Sequence, residues 1–80
     1  MGGRKPTVSD REILGIFAET TEPVLSASEV ADQLPIGQTG TYQRLRELHD
    51  RGLLDTKKVG QGRAWWITDE GRTFVDEESD

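Results

Sequence analysis

Between positions 38 and 46 the chain carries Gln38, Thr39, Tyr42, Gln43, Arg44 and Arg46. A guanidinium offers a planar fork of N–H donors, and a carboxamide offers a donor beside an acceptor. Such groups grip two atoms at once on a flat polar partner. A second set follows at Lys57, Lys58, Gln61 and Arg63, where cations bracket the tripeptide Gly60-Gln61-Gly62. Cations around a turn suit a partner with repeated negative charge. Arg4 and Lys5 form a third, smaller cationic group near the start.

Catalytic chemistry has little to work with. There is no cysteine and one histidine, His49. Disulfides and thiolate metal sites are therefore excluded, and a metal centre would have to rest on carboxylates. His49 lies late in a helical stretch and is followed by Asp50. No nucleophile–base arrangement is readable. Gly60-Gln61-Gly62 is too short for a phosphate-cradling loop. Glu77, Glu78 and Asp80 read as a solvated acidic tail rather than a metal cluster. The chain is expected not to be an enzyme and to need no cofactor, and no small-molecule ligand is readable.

The net charge of -5 is unevenly spread. Residues 38–66 hold Arg44, Arg46, Arg51, Lys57, Lys58 and Arg63 against Glu47, Asp50 and Asp55, a local excess of +3. The flanks carry -8. Steering of a charged partner depends on local potential, so the basic middle matters more than the sum. Acidic flanks with only three lysines resemble proteins adapted to a salt-rich, archaeal-type cytoplasm. No apolar run approaches the ~20 residues of a membrane helix or the ~7–15 of a signal-peptide core. No membrane contact is expected, and the cytoplasm is the default location.

Regular elements must position these groups. With 80 residues there is room for one domain and one small core. Residues 1–8 are expected to be a flexible N-terminal arm, 9–76 the domain and 77–80 an acidic tail. Ser9 with Glu12 spells a capping box, and Val8 with Ile13 a hydrophobic staple, opening a helix from about Asp10 to Thr20. Pro23 bars its extension. Ser26 with Glu29 and Leu25 with Val30 repeat the device for a second helix, about Ala27 to Leu34. Pro35 and Gly37 interrupt the chain there. A third helix is expected over about 38–51, burying Thr41, Leu45 and Leu48, with Gly52 as its left-handed cap.

After Gly52 the hydrophobic period changes from 3.6 to 2. Leu54–Val59 and Arg63–Thr68 read as strands of a hairpin turning at Gly60-Gln61-Gly62. A short strand near Val24–Leu25 can pair with the hairpin. Trp65 and Trp66 must point to opposite faces. Trp65 is expected in the core with Ile67, while Trp66, turned outward or toward the first helix, is a candidate dimer or partner surface. A final helix, about Asp69 to Glu77, is capped by Thr68 and buries Phe74 and Val75.

Gly40-Thr41-Tyr42-Gln43-Arg44-Leu45-Arg46-Glu47-Leu48, followed by Arg51-Gly52-Leu53-Leu54, resembles the recognition helix and exit of MarR-, PadR- and ArsR-like winged-helix regulators. Ile67-Thr68-Asp69-Glu70-Gly71-Arg72 resembles the segment that closes their wing. The resemblance covers about residues 10–76. It implies an α+β winged helix-turn-helix: a three-helix core, a C-terminal β-hairpin wing and a short final helix. It further implies a sequence-specific DNA-binding transcription regulator that binds double-stranded DNA, with a homodimer expected on a two-fold operator. Gln38, Thr39, Tyr42, Gln43, Arg44 and Arg46 would then meet the major groove. Lys57, Lys58, Gln61 and Arg63 would meet the backbone, and Arg4 and Lys5 would reach a minor groove. Gly40 stands where those families often have threonine or serine, and Gly37 where a serine-type cap is usual. The alternative is a winged helix serving as a protein–protein interaction module or transcription-machinery accessory, without direct DNA readout.

Overall fold

Two of the helices begin on serines. In the computed structural model, which describes residues 8–77, α1 spans Asp10–Glu19 and α2 spans Ala27–Ala31. Ser9 Oγ accepts the Glu12 amide at 3.1 Å while Glu12 accepts the Ser9 amide at 2.9 Å. Ser26 and Glu29 repeat the exchange at 3.1 and 2.8 Å. Each pair satisfies two backbone donors that a helix start would otherwise leave open. Val8, assigned by the sequence to the flexible arm, is instead buried in the core as the staple residue. The rest of that arm, with Arg4 and Lys5, and positions 78–80 of the tail lie outside the described residues.

α2 is shorter than its sequence suggests. It stops at Ala31, and the amides of Gln33 and Leu34 bond three residues back, to Val30 and Ala31, in a tightening turn. Leu34 precedes a proline, which disfavours helical backbone at that position. α3 spans Gly37–Asp50 and buries Thr41, Leu45 and Leu48. It ends in a Schellman motif: the Leu53 amide reaches the Leu48 carbonyl at 3.0 Å and the Gly52 amide reaches that of His49 at 2.9 Å. Gly52 holds φ +81°, a left-handed conformation costly for a residue with a Cβ.

β1 (Leu54–Val59) and β2 (Gly62–Ile67) pair antiparallel, with Leu54 opposite Ile67, Thr56 opposite Trp65 and Lys58 opposite Arg63. The turn narrows to Gly60-Gln61, because Gly62 already pairs with Val59. A lone bridge ties Leu25 to Trp65 through two 2.9 Å backbone bonds. α4 (Asp69–Glu77) starts on Thr68, whose hydroxyl accepts the Gly71 amide at 3.0 Å and donates to the Gly52 carbonyl at 2.7 Å. Glu77, which the sequence gives both as the end of the final helix and as the start of the tail, closes this helix. Phe74 and Val75 are only partly buried; the buried position of α4 is Gly71. A Cβ there would collide with the Leu53 carbonyl oxygen, so only glycine lets the helix lie this close.

The core gathers Ile13, Leu14 and Phe17 of α1, Val30 of α2, Leu45 and Leu48 of α3, and Leu54, Trp65 and Ile67 of the hairpin. Each such side chain contributes about 1.5–3 kcal/mol on burial, which a domain this small needs.

Candidate nucleic-acid interface

α3 is amphipathic, and the burial of Thr41, Leu45 and Leu48 decides what its outer surface presents. Thr39, Gln43, Arg46 and Asp50 recur at helical spacing on the opposite side, all exposed. Among the described residues Thr39, Gln43 and Arg46 have no hydrogen-bonding or ionic side-chain partner. Tyr42 lies on the flank nearest the hairpin, its ring edge-on to Trp65 at 5.9 Å and 84°. Gln38 donates from Nε2 to Ser28 Oγ at 3.1 Å, which ties the start of α3 to α2. That tie matters because Ile36, the N-cap residue, supplies no side-chain cap, so Gly37 is not itself the cap.

Arg44 departs from the expected group. Its Nη2 donates to Asp10 Oδ1 at 2.7 Å, and Arg51 Nη1 donates to Asp10 Oδ2 at 2.6 Å. The acidic residues nearer to Arg44 in sequence contribute little: Glu47 is at 3.9 Å, and Asp50 is not among its partners. Arg44 therefore holds α3 against the start of α1 and is withdrawn from the α3 surface that carries Gln43. Burial pushes the Asp10 carboxyl up, but hydrogen bonds from Arg44 and Arg51 and their charges outweigh it, leaving the group below its ordinary range.

The hairpin divides its cations between two faces. Lys58 and Arg63 are opposite each other on the face that also carries Leu54, Thr56, Trp65 and Ile67. Near the base this face is core; at the tip it passes beyond the core and bears charge. Lys57 belongs to the other face, with Asp55, Val59 and Trp66. Adjacent strand residues cannot share a face, so the run Lys57-Lys58 is not one patch. Trp66 is partly covered rather than fully exposed.

Lys58, Gln61 and Arg63 meet Tyr42, Ser26, Ser28 and Trp65 around an open cleft of about 410 Å³. An adjoining cleft of about 220 Å³ brings Arg46 and Arg63 together with Tyr42, His49, Asp50 and Thr56. Arg46, Lys58 and Arg63 have no acidic partner within 4.0 Å among the described residues. His49 lies 3.8 Å from Asp50 and 4.0 Å from Asp55, so acidic groups collect at the C-terminal end of α3. An anion is accordingly attracted to the hairpin tip and to Arg46 beside it, rather than to the last residues of α3. Among the described residues no group of three His, Asp or Glu could hold a metal, and no helix is long and apolar enough to cross a membrane.

No protein-family model and no curated protein matches this sequence. Solved structures do match its shape. Sco5413, a MarR family transcriptional regulator from Streptomyces coelicolor, superposes with TM-score 0.78 at 23% identity, over 88% of this chain and 49% of that one. Bacillus subtilis PadR, solved in complex with operator DNA, superposes with TM-score 0.73 at 17% identity, over 85% of this chain and 44% of that one. The fold is a winged helix-turn-helix. AF1382 from Archaeoglobus fulgidus shares it at TM-score 0.74 and 10% identity, over 88% of this chain and 78% of that one. The present winged helix spans about half the length of the first two. In its terms α2 and α3 are the helix-turn-helix pair and β1–β2 is the wing.

The sequence brought Tyr42, Gln43, Arg46, Lys58, Gln61 and Arg63 into one candidate set, and all lie on or beside the α3–wing surface. It did not single out Ser26 and Ser28, which line the same cleft. Their signal was absorbed by capping, because Ser26 reads fully as an N-cap.

Proposed function

We propose that this winged helix is a sequence-specific DNA-binding transcription regulator, with α3 in the major groove and the wing on the phosphate backbone. One observation carries the reading. Tyr42 of α3 lines a single cleft with Lys58, Gln61 and Arg63 of the wing, while Thr39, Gln43 and Arg46 stand beside it with no protein partner among the described residues. Arg46 has the geometry to grip two acceptors of guanine, and Gln43 to pair with adenine, each pairing giving about 1–3 kcal/mol of discrimination. Lys58 and Arg63 neutralise phosphates, Tyr42 donates to one, and Thr39 and Gln38 lie at the end of the helix nearest the groove. PadR's complex with operator DNA supports the same use of this fold.

Two-fold operators call for two readers about one DNA turn apart, so a homodimer is part of the proposal. The cytoplasm, with the DNA, is its expected compartment. No catalytic step is proposed.

Duplex binding across a salt series tests this. Arg46→Ala should flatten sequence preference, while Lys58→Ala plus Arg63→Ala should weaken all duplexes alike. That pair should reduce the salt slope by about 1.8, at about 0.9 for each phosphate no longer neutralised. If no duplex binds at low salt, or neither change matters, the protein-interaction reading replaces this one.

A further inference from the structure

Of the two serines in the cleft between α2, α3 and the wing, one is committed and the other is not. Ser26 Oγ accepts the Glu29 amide at 3.1 Å, and that bond holds the start of α2. Ser28 is exposed, and its Oγ accepts one hydrogen bond, from Gln38 Nε2 at 3.1 Å. Its hydroxyl proton has no acceptor among the described residues. The nearby Thr56 hydroxyl, by contrast, donates to the Ala64 carbonyl at 2.8 Å. Lys58 and Arg63 line the same cleft of about 410 Å³ as Ser28. Both are exposed cations with no acidic partner within 4.0 Å among the described residues. A hydroxyl with an uncommitted proton therefore shares a cleft with two unneutralised charges from another element.

We propose that Ser28 is a phosphorylation site whose phosphoryl group pairs with Lys58 and Arg63 and so withdraws the wing from DNA. In the modifying step Ser28 Oγ attacks the γ-phosphorus of a nucleoside triphosphate held by a protein kinase. The Oγ–P bond forms as the bond from that phosphorus to the β,γ-bridging oxygen breaks. The hydroxyl proton passes to a base of the kinase, and the nucleoside diphosphate leaves. The product carries a charge of about -1.5 to -2 and adds strong acceptor oxygens. A guanidinium holds two of these at once, and an ammonium takes another as a point charge. Gln38, already a donor to this hydroxyl, becomes a donor to the phosphoryl group.

The DNA-binding reading gives the same two cations to backbone phosphates. A covalent phosphate in the cleft competes with DNA for them as long as it stays attached. The effect on DNA rests on that reading, whereas the pairing itself rests on the cleft alone.

The chain of 80 residues is short enough for chemical synthesis with phosphoserine at position 28. At about 0.1 M salt this protein should bind duplex DNA about 60-fold more weakly than the unmodified chain, with its salt slope lowered by about 1.8, because two contacts of about 0.9 each are lost. In the Lys58→Ala plus Arg63→Ala variant the same modification should cost less than about fivefold, since the cations it pairs with are already gone. Phosphothreonine at Thr73, exposed on α4, adds the same charge outside the cleft and should cost less than about threefold. Without DNA, phosphorus NMR across pH should show the phosphoserine losing its second proton at lower pH in the wild-type background than in the double variant. Glu29 and Asp32 oppose that shift but are present in both proteins, so the difference reports the two cations. Protein purified from its own cells should carry phosphate at position 28. A loss at Thr73 equal to that at Ser28, a loss undiminished in the double variant, equal phosphorus titrations in the two backgrounds, or no phosphate at position 28 in growing and stationary cells would overturn the proposal. A lowered titration in a chain that binds no duplex even when unmodified removes the DNA reading and leaves the pairing.

Discussion

Replacing Asp10 by asparagine should loosen α3 from its support. In the native fold the carboxylate receives Arg44 at 2.7 Å and Arg51 at 2.6 Å. Hydrogen bonds to charged groups contribute about 1.5–3 kcal/mol each when shielded. Here the side chains keep 31% (Asp10), 26% (Arg44) and 50% (Arg51) of their exposure, so solvent screening brings each pair below about 1 kcal/mol. The missing negative charge in the first turn of α1 removes a few tenths more. Together these make Asp10→Asn destabilising by about 1.5 kcal/mol at neutral pH, or about 6–12 °C in melting temperature for a domain this size. The pH dependence follows from the sign of the shift. Folding lowers the Asp10 pKa, so its contribution is fully present above the ordinary value of 3.8 and is lost as pH falls through the lower folded value. Thermal unfolding of wild type and variant, followed by circular dichroism from neutral to strongly acidic pH, should show a gap that closes only in that acidic window. A gap that stays constant throughout would refute a charge origin. No gap at neutral pH would show that Arg44 and Arg51 hold α3 without Asp10.

Three further outcomes follow from the packing and the wing. Gly71→Ala should destabilise by about 3 kcal/mol in chemical denaturation, despite alanine's better helix propensity, because its methyl group meets the Leu53 backbone. Thr41→Val should be neutral or stabilising by up to about 1 kcal/mol, since the Thr41 hydroxyl is fully buried without a hydrogen-bond partner among the described residues. Lys58→Ala should lower the salt slope of DNA binding by about 0.9, whereas Lys57→Ala, on the opposite face of the wing, should change it by clearly less.

Local signals in the sequence were strong enough to place most elements. Ser9-x-x-Glu12 and Ser26-x-x-Glu29 mark helix starts because a capping box satisfies its donors within four residues. The same holds for Gly52, whose left-handed turn is set by the chain around it. What escaped depended on distant partners. The pairing of Arg44 with Asp10 joins residues 34 apart in sequence, and the nearby Glu47 and Asp50 offered a more obvious local choice. The closeness of Gly71 to Leu53 likewise comes from docking the start of α4 onto the turn between α3 and β1. The separation of Lys57 from Lys58 was implicit in the alternation already used for Trp65 and Trp66, but the shared charge drew the two lysines into one group. α2 was read too long because Ala31 and Leu34 keep helical spacing even where the proline-preceding residue leaves the helix.

The most direct test of the proposed DNA-binding surface is a backbone amide chemical-shift titration with duplex DNA at low salt. Shifts should concentrate at Gln38–Arg46 and Lys58–Arg63, leaving α1, α4 and the Trp66 face nearly unchanged. Perturbations centred on α1 or on Trp66, with those two segments silent, would contradict the assignment of α3 and the wing to DNA.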